Sequence, residues 1–224
     1  MQRVAAIVFD MDGLMLDTEP LYQVAWQATS TELGHVLDDP SYATLVGRPT
    51  DDCERELVRW FGPGFPLERF RVRWPERWQA EVAANGIQQK PGLLEILTFA
   101  DAQRLPVAVA TSSEADYAAF SLRHAGLEGR FKVIVTRDQV ARGKPAPDIY
   151  LEAARRLQVD RAACLALEDS EAGILSASRA GMRTLLIPDG TPPSDAAVRA
   201  AFRVVASLHD ARDLVAALLA DSQA

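Results

Sequence analysis

The chain of 224 residues has few of the residues that build disulfide or zinc frameworks. Its two cysteines, Cys53 and Cys164, lie far apart in no metal-ligand spacing, so we expect free buried thiols in a reducing compartment. No apolar run approaches about 18 residues, which excludes a transmembrane helix. A predicted core strand begins at residue 4, so we expect no signal peptide and a cytoplasmic protein.

The chain also lacks an excess of positive charge. Lysine and arginine number 24 against 31 aspartates and glutamates, for a net charge of −7. This balance argues against nucleic acid or an anionic membrane as the main partner. The content of 48% hydrophobic and 25% charged residues is that of an ordinary globular protein. The length suits one core domain with an insertion.

What the sequence does contain is a pair of carboxylates behind a buried strand. Val4–Phe9 is a continuous apolar run, and Asp10, Asp12 and Gly13 follow it. Side chains at i and i+2 of an extended chain lean the same way, about 6.6 Å apart. A divalent cation offsets the repulsion between two such acids and suits phosphate chemistry. A polar turn at the strand end is the simpler alternative, because Asp and Gly favour turns.

Elsewhere the chain alternates apolar strands with amphipathic helices. Strands are predicted near residues 4–9, 106–111, 132–136, 163–168, 183–187 and 203–206. Apolar stripes predict helices after Pro91-Gly92 and after Pro147, another that contains Ile174 and Ala177, and a last one around Leu214 and Leu218. The alternation predicts an α/β fold with a doubly wound, mostly parallel Rossmann-like sheet. Such sheets bind ligands beyond the carboxyl ends of their strands.

Residues 18–86 do not fit this alternation and hold most of the aromatic residues. Helices are predicted near 20–33, 50–61 and 66–84. We interpret this part as an all-helical cap domain inserted into an α/β core domain of residues 1–17 and 87–224. Such insertions close over a site and expel water, although most of the aromatic side chains are expected simply to form the core of the cap.

Four segments, in order, resemble the motifs of the haloacid dehalogenase-like hydrolases. The first is Asp10–Glu19, and the others are Val107–Ser112, Gly143–Asp148 and Leu167–Ile174. Within this family the chain is similar to the branch that holds β-phosphoglucomutase and many small-metabolite phosphatases. The resemblance covers residues 4 to about 187 and implies a helical cap inserted after the first strand.

The resemblance implies a Mg²⁺ cofactor and a role for each acidic residue. Asp10 would be the nucleophile that forms an aspartyl-phosphate. Asp12 would be the general acid and base. A side-chain oxygen of Asp10, the backbone carbonyl of Asp12 and the side chain of Asp169 would hold the ion, which prefers oxygen ligands.

Four further residues complete the implied site. Thr111 would hydrogen-bond the phosphoryl group, helped by the backbone N–H of Ser112 at a helix N-terminus. Lys144 would neutralise the crowd of negative charge, and Glu168 would brace Lys144 or a metal-bound water. The simpler alternatives are a solvated loop lysine and a threonine that satisfies a backbone group at a strand end.

The expected function is a Mg²⁺-dependent phosphatase acting on a small phosphorylated metabolite such as a sugar phosphate. Asp12 argues against a dehalogenase, whose leaving group needs no proton. Phosphonate hydrolysis in the family needs a cap lysine, and residues 18–86 contain none. A non-catalytic binding module is also a hypothesis. The presence of all four implied catalytic residues argues against it: Asp10, Asp12, Lys144 and Asp169.

A mutase similar to β-phosphoglucomutase is the closer alternative. That enzyme has a cap histidine after its first motif, whereas here no histidine follows Asp17 until His35. That enzyme also has a basic cap residue three residues after a glycine. Counted from Gly47, the same position in this chain is Thr50. Among the cap residues, Tyr22 and Arg48 are the substrate-binding candidates. We expect a monomer or a weak dimer.

Overall fold

The computed structural model describes residues 2–46, 48, 50–190 and 192–221, with the backbone but not the side chain of Asp221. The chain divides into two compact units. Unit 1 combines the described residues up to Asp17 with those from Gln88 onwards, and unit 2 spans Thr18–Ile87. Among the described helices, none combines the length and the apolar character that crossing a membrane requires.

The described residues form eight β-strands and ten α-helices. The strands are β1 Ala6–Phe9, β2 Leu16–Asp17, β3 Gln88–Gln89, β4 Val107–Ala110, β5 Val133–Val135, β6 Cys164–Glu168, β7 Arg183–Leu186 and β8 Arg203–Val204. The helices are α1 Glu19–Glu32, α2 Asp39–Ala43, α3 Thr50–Phe61, α4 Leu67–Asn85, α5 Leu93–Ala102, α6 Ala115–His124, α7 Asp148–Leu157, α8 Glu171–Arg179, α9 Asp195–Ala200 and α10 Leu208–Asp221.

Unit 1 is built on a six-stranded sheet in the order β5-β4-β1-β6-β7-β8, in which every neighbouring pair is parallel. β1 and β6 are buried along their whole length, which explains the apolar sequence of β1 and of β6 as far as Leu167. Small and branched side chains of β1, β4 and β6 pack against α7 and α8, while Ile7 and Val109 are buried on the opposite face. The predicted doubly wound α/β fold is confirmed.

Residue patterns explain where several helices of unit 1 begin and end. Gly92 precedes α5 with a left-handed backbone, and Leu93, Ile96, Leu97 and Ala100 form the buried face of that predicted helix. The Ser170 hydroxyl caps α8 by accepting a hydrogen bond from the Gly173 N–H at 3.1 Å. Gly181, one residue past the C-cap of α8, has a φ of +82°, which suits the glycine that ends a helix.

The two chain crossings between the units lie side by side as an antiparallel ribbon. Leu16 of β2 pairs with Gln89 of β3, and Asp17 pairs with Gln88. The ammonium of Lys90, just behind β3, lies 3.3 Å from an Asp17 oxygen and 2.6 Å from an oxygen of Asp189. This ribbon was not predicted, because two-residue strands leave no periodic signal in a sequence.

Helices are the regular elements in the described part of unit 2. An aromatic core holds them together, and its fully or mostly buried rings are Trp26, Tyr42, Phe65 and Phe70. The three predicted helices correspond to α1, α3 and α4, and each predicted end differs from the observed end by no more than one residue. The short helix α2 was not predicted. Gly47 and Pro49, which lie between the predicted helices 20–33 and 50–61, are outside the described residues.

Candidate active site

The motif residues of unit 1 gather at the carboxyl ends of its central strands. Asp10 follows β1, Thr111 follows β4, and Asp169 follows β6. Because β1 lies between β4 and β6, these three residues share one edge of the sheet. Backbone hydrogen bonds extend the ladder there, from the Asp10 N–H to the carbonyl of Leu167 at 3.0 Å. The strands therefore hold the site residues on a rigid frame.

Lys144 connects two of the acidic residues. Its ammonium donates hydrogen bonds to Asp10 Oδ1 and to Glu168 Oε1. The side chain of Lys144 is only 3% exposed, and that of Glu168 is fully buried. Burial lowers the pKa of Lys144, but the two carboxylates outweigh it and raise the pKa above its usual value. Lys144 is thus a buried cation, which excludes the solvated loop lysine as an alternative.

Glu168 is fixed from several directions. The hydroxyl of Tyr150 donates to Glu168 Oε1 at 2.6 Å, and that of Ser170 donates to Oε2 at 3.0 Å. A Cβ at Gly173 would lie 1.8 Å from Glu168 Oε1, so the first turn of α8 can approach the carboxylate only with a glycine there. Tyr150 is fully buried in α7. This tyrosine had no predicted role, because only the fold brings it to the acidic motif.

Asp10, Glu168 and Asp169 form an acidic cluster. One carboxylate oxygen from each lies within 4.8 Å of the other two. Burial raises the pKa of Asp10 well above its usual value, against the opposing effect of Lys144. Burial and the neighbouring Glu168 raise the pKa of Asp169 to about 7. Three carboxylates beside one ammonium leave a negative excess that protonation or a cation must neutralise.

The donor set fits a divalent cation that prefers oxygen. The cluster offers carboxylate oxygens without nitrogen or sulfur ligands, as Mg²⁺ sites do. The Asp169 carboxylate can keep its position only because residue 13 is a glycine: a Cβ there would lie 2.3 Å from Asp169 Oδ2. Gly13 also has a φ of +83°, which side chains other than glycine rarely adopt. The backbone therefore approaches the acidic cluster closely at this point.

Asp12 is held by two hydroxyl groups of the same sheet edge. The hydroxyl of Ser113 donates to Asp12 Oδ2 and that of Tyr117 donates to Oδ1, each at 2.9 Å. Neither residue was predicted to belong to the site. Ser113 lies in the turn before α6 and Tyr117 in its first turn, so helical periodicity does not relate the two residues to each other or to Asp12.

The positions of Thr111 and Ser112 differ from the expectation in one respect. The Ser112 N–H is not at a helix N-terminus, because α6 begins at Ala115 after an extended Glu114. A turn intervenes, in which the Thr111 hydroxyl accepts the N–H of Ser113 at 3.0 Å. Thr111 is buried and Ser112 is exposed. The threonine oxygen thus satisfies a strand-end backbone group, while its own O–H hydrogen can donate elsewhere.

The two cap candidates lie together in unit 2. Tyr22 and Arg48 both line a cavity of about 210 Å³. Its other lining residues are Glu19, Trp26, Tyr42, Leu45, Val46, Thr50, Cys53 and Trp74. The Tyr42 hydroxyl donates to Glu19 Oε1 at 2.8 Å within this cavity. The cavity has aromatic walls and both an acidic and a basic side chain, a combination that suits an organic ligand with polar groups.

Together these observations define a Rossmann-like α/β protein with an acidic site at the carboxyl ends of its central strands. Known proteins then give the family. A model described as a haloacid dehalogenase-like hydrolase matches residues 4–181. A phosphorylated carbohydrates phosphatase of Thermotoga maritima is 34% identical over 180 residues, covering 80% of this chain and 83% of that protein.

A second relative and a solved structure indicate the same family. A fructose-1-phosphate phosphatase of Escherichia coli is 32% identical over 181 residues, covering 81% of this chain and 95% of that protein. A solved structure from Thermotoga maritima, named provisionally a β-phosphoglucomutase, has a TM-score of 0.84 at 30% identity. It covers 97% of this chain and 99% of its own. The chain belongs to the haloacid dehalogenase-like hydrolases, in the branch that resembles β-phosphoglucomutase.

Proposed function

We propose that this protein is a Mg²⁺-dependent phosphatase that hydrolyses a small phosphorylated metabolite through an aspartyl-phosphate. The observation that carries the proposal is the buried Lys144, which contacts Asp10 and Glu168 within an acidic cluster that includes Asp169. Membership of the family and the phosphatases among its relatives support the class, so the protein is a phosphoric monoester hydrolase.

Asp10 and Asp12 divide the reaction between them. An oxygen of Asp10 attacks phosphorus as the bond to the leaving oxygen breaks, which gives an aspartyl-phosphate. Asp12, protonated, gives its proton to that leaving oxygen. Asp12 then takes a proton from the water that attacks phosphorus, so that phosphate leaves and the carboxylate of Asp10 is restored.

Lys144 and Thr111 stabilise the transferred group. The phosphoryl oxygens carry negative charge beside Asp10, and the buried ammonium of Lys144 offsets it where water cannot screen the interaction. Thr111 donates its hydroxyl hydrogen to a phosphoryl oxygen, and the N–H of Ser112 donates a second hydrogen bond. Glu168 is a positioning residue: it holds the Lys144 ammonium between the two carboxylates.

Mg²⁺ is the proposed cofactor, with ligands from Asp10, Asp169 and the backbone carbonyl of Asp12. The oxygen-only donor set and its negative excess support this choice. When bound, the ion supplies positive charge to the phosphoryl oxygens and to the attacking carboxylate.

We assign the choice of substrate to unit 2, as the cap domain, and name a sugar phosphate as the class. The relatives named as phosphatases of phosphorylated carbohydrates and of fructose 1-phosphate support this class. In unit 2, the cavity lined by Tyr22 and Arg48 would bind the organic part of the substrate. Aromatic rings pack well on the apolar faces of sugars, and the charged groups can bind hydroxyls.

A mutase is the second candidate, favoured by the similarity to the provisionally named β-phosphoglucomutase. A mutase must return its phosphoryl group to a sugar phosphate rather than to water, which requires a second phosphate site. Thr50 occupies the position of the basic residue that this would need, although Arg48 lies nearby. Conversion of β-glucose 1-phosphate to glucose 6-phosphate in the presence of glucose 1,6-bisphosphate would favour the mutase.

The decisive experiment measures phosphate release from a panel of sugar phosphates with Mg²⁺ or with EDTA. We expect hydrolysis with Mg²⁺ and none with EDTA. Asp10→Asn should abolish turnover. It should also abolish the acid-stable phosphoryl group that the wild-type protein carries as an aspartyl-phosphate. Asp101→Asn is the matched control, because Asp101 is an exposed carboxylate of α5 paired with Arg130.

Two results would overturn the proposal. Wild-type turnover by the Asp10→Asn variant would remove the nucleophile. Failure of the wild type to release phosphate from any phosphate ester, with no effect of EDTA on its thermal unfolding, would favour a non-catalytic binding module.

We also propose a cytoplasmic location and a monomer or weak dimer. Two free, buried cysteines support a reducing compartment. Light scattering of the purified chain over a concentration series tests the oligomeric state.

A further inference from the structure

We propose that Tyr117, together with Ser113, positions Asp12 for proton transfer. This inference rests on the proposed phosphatase function and adds two residues to it. Both oxygens of the Asp12 carboxylate accept hydrogen bonds: Tyr117 Oη donates to Oδ1 and Ser113 Oγ donates to Oδ2, each at 2.9 Å. Hydroxyl donors on both oxygens fix the rotation of the carboxyl group, which a single donor would leave free to turn.

The two donors stand on a rigid support. Tyr117 lies in the first turn of α6, whose Ala118 and Leu122 are buried. The first N–H of that helix, from Ala115, donates to Asp138 Oδ1 at 3.0 Å. The N–H of Ser113 donates to the Thr111 hydroxyl directly behind β4. The same strand end therefore supports both the phosphoryl-binding residue and the donors to Asp12.

The arrangement is compatible with proton transfer in both directions. A carboxylate oxygen can accept more than one hydrogen bond, so a hydroxyl donor does not by itself prevent protonation of that oxygen. The Asp12 carboxyl group carries the transferred proton when it is the acid, and regains it from water when it is the base. Tyr117 and Ser113 keep their own protons throughout, so they are positioning residues and not catalytic residues.

A structural role is the alternative: the half-buried Tyr117 could simply attach α6 to the chain behind β1. The two roles predict different dependence on the leaving group. A general acid matters most when the leaving oxygen is strongly basic, because such an oxygen cannot depart without a proton. A packing defect instead slows every substrate by a similar factor.

The experiment compares p-nitrophenyl phosphate, a good leaving group, with phenyl phosphate, a poorer one of similar shape. General acid–base catalysis contributes about 10²–10⁴-fold, so partial misplacement of Asp12 in Tyr117→Phe should lower kcat/KM about 10-fold for phenyl phosphate. With p-nitrophenyl phosphate, whose departure needs little proton donation, the loss should stay below about 2-fold. Added to Asp12→Asn, the Tyr117→Phe change should have no further effect.

Ser113→Ala should reproduce the pattern, and Ser113→Thr, which keeps a hydroxyl, should restore the wild-type ratio. Ser121→Ala is the matched control on α6, since this buried hydroxyl has no hydrogen-bond partner among the described residues. Circular dichroism establishes that each variant is folded, and the Ser113 variants test the inference if Tyr117→Phe does not fold.

Equal losses for both substrates, or no loss for either, would overturn the positioning role. The proposed function would then stand on wild-type turnover and on the loss caused by Asp10→Asn. If the wild type releases phosphate from no ester, the sugar phosphates included, the proposed function itself fails and the positioning role fails with it.

Discussion

At the residue scale, Gly13 is the position where a single methyl group should have the clearest effect. Its φ of +83° and the 2.3 Å that would separate a Cβ from Asp169 Oδ2 are two separate constraints. The first affects the stability of the fold, because a left-handed backbone costs other residues about 1–2 kcal/mol. The second affects the proposed metal ligand, since Asp169 must move to make room.

We therefore predict that Gly13→Ala lowers Mg²⁺-dependent phosphate release about 100-fold, the scale expected when a reacting group is misplaced by about 1 Å. Gly126→Ala provides the control, because Gly126 also has a positive φ, of +71°, but has no atom within 4 Å of an added Cβ. Both variants should lose similar free energy of unfolding in denaturant titrations. Equal activity in the two would show that the contact with Asp169 has no catalytic consequence.

Three site residues that lie directly behind strands were predicted, whereas the two tyrosines that reach the site from helices were not. Asp10, Thr111 and Asp169 share a sheet edge because parallel strands end together, a rule that a sequence can use. Tyr150 and Tyr117 reach Glu168 and Asp12 through contacts that the packing of α7 and α6 creates. Periodicity gives the face of such a helix but not what lies opposite it.

At the element scale, all six strands of the main sheet were predicted, whereas the shortest helices were not. β1, β4 and β6 are buried parallel strands whose apolar runs are visible in the sequence, while β8 is only two exposed residues long. The short helices α2 and α9 are too brief to show a helical period. In α10 the predicted stripe of Leu214 and Leu218 is half-buried, whereas the fully buried positions are Ala211, Val215 and Leu219. An alanine-rich helix offers two nearly equal stripes, and packing against α5 decides between them.

The pairing of α3 with α4 in unit 2 supplies a second prediction. Arg71 makes a two-pronged contact with Glu54, with nitrogen–oxygen distances of 2.7 and 3.1 Å. The Glu54 side chain is 7% exposed and that of Arg71 is 45% exposed. Arg71→Ala should therefore destabilise unit 2 measurably, but by less than the loss of one partner from a fully buried pair, because water reaches Arg71.

Tryptophan fluorescence in a denaturant titration measures this loss, because all four tryptophans of the chain lie within residues 18–87. Arg55→Ala is the control on α3: its ion pair with Asp52 is exposed, and its loss should cost less than about 0.5 kcal/mol. A loss of the same size in both variants would mean that the Arg71–Glu54 pair adds nothing beyond a surface contact.

At the scale of the whole molecule, the net charge of −7 and the acidic cluster predict a fold that divalent cations stabilise. The pKa of Asp169 is raised to about 7, mainly by burial, so without metal this group binds a proton more tightly in the folded chain than in the unfolded one. The metal-free fold therefore gains stability as the pH falls through 7 towards the ordinary aspartate pKa of 3.8, whereas a metal ion must displace that proton below pH 7.

We predict that Mg²⁺ raises the thermal unfolding temperature at pH 8, and that the increase shrinks as the pH is lowered to 6. The affinity should fall roughly tenfold for each pH unit below 7, the dependence expected when one proton is released on binding. Differential scanning calorimetry with Mg²⁺ and with EDTA measures the effect. Asp169→Asn should abolish both the increase and its pH dependence. An increase that is independent of pH would argue against competition between proton and metal.

The ribbon of β2 and β3 brings the points where the chain leaves and re-enters unit 1 next to each other. Asp17 and Gln88 face each other as a strand pair, a separation that a two-residue Asn-Gly turn can bridge. Seventy intervening residues could therefore be exchanged for a tight hairpin without moving either flank. A protein connected in this way can acquire, lose or replace its inserted module while leaving the chemistry of its sheet untouched.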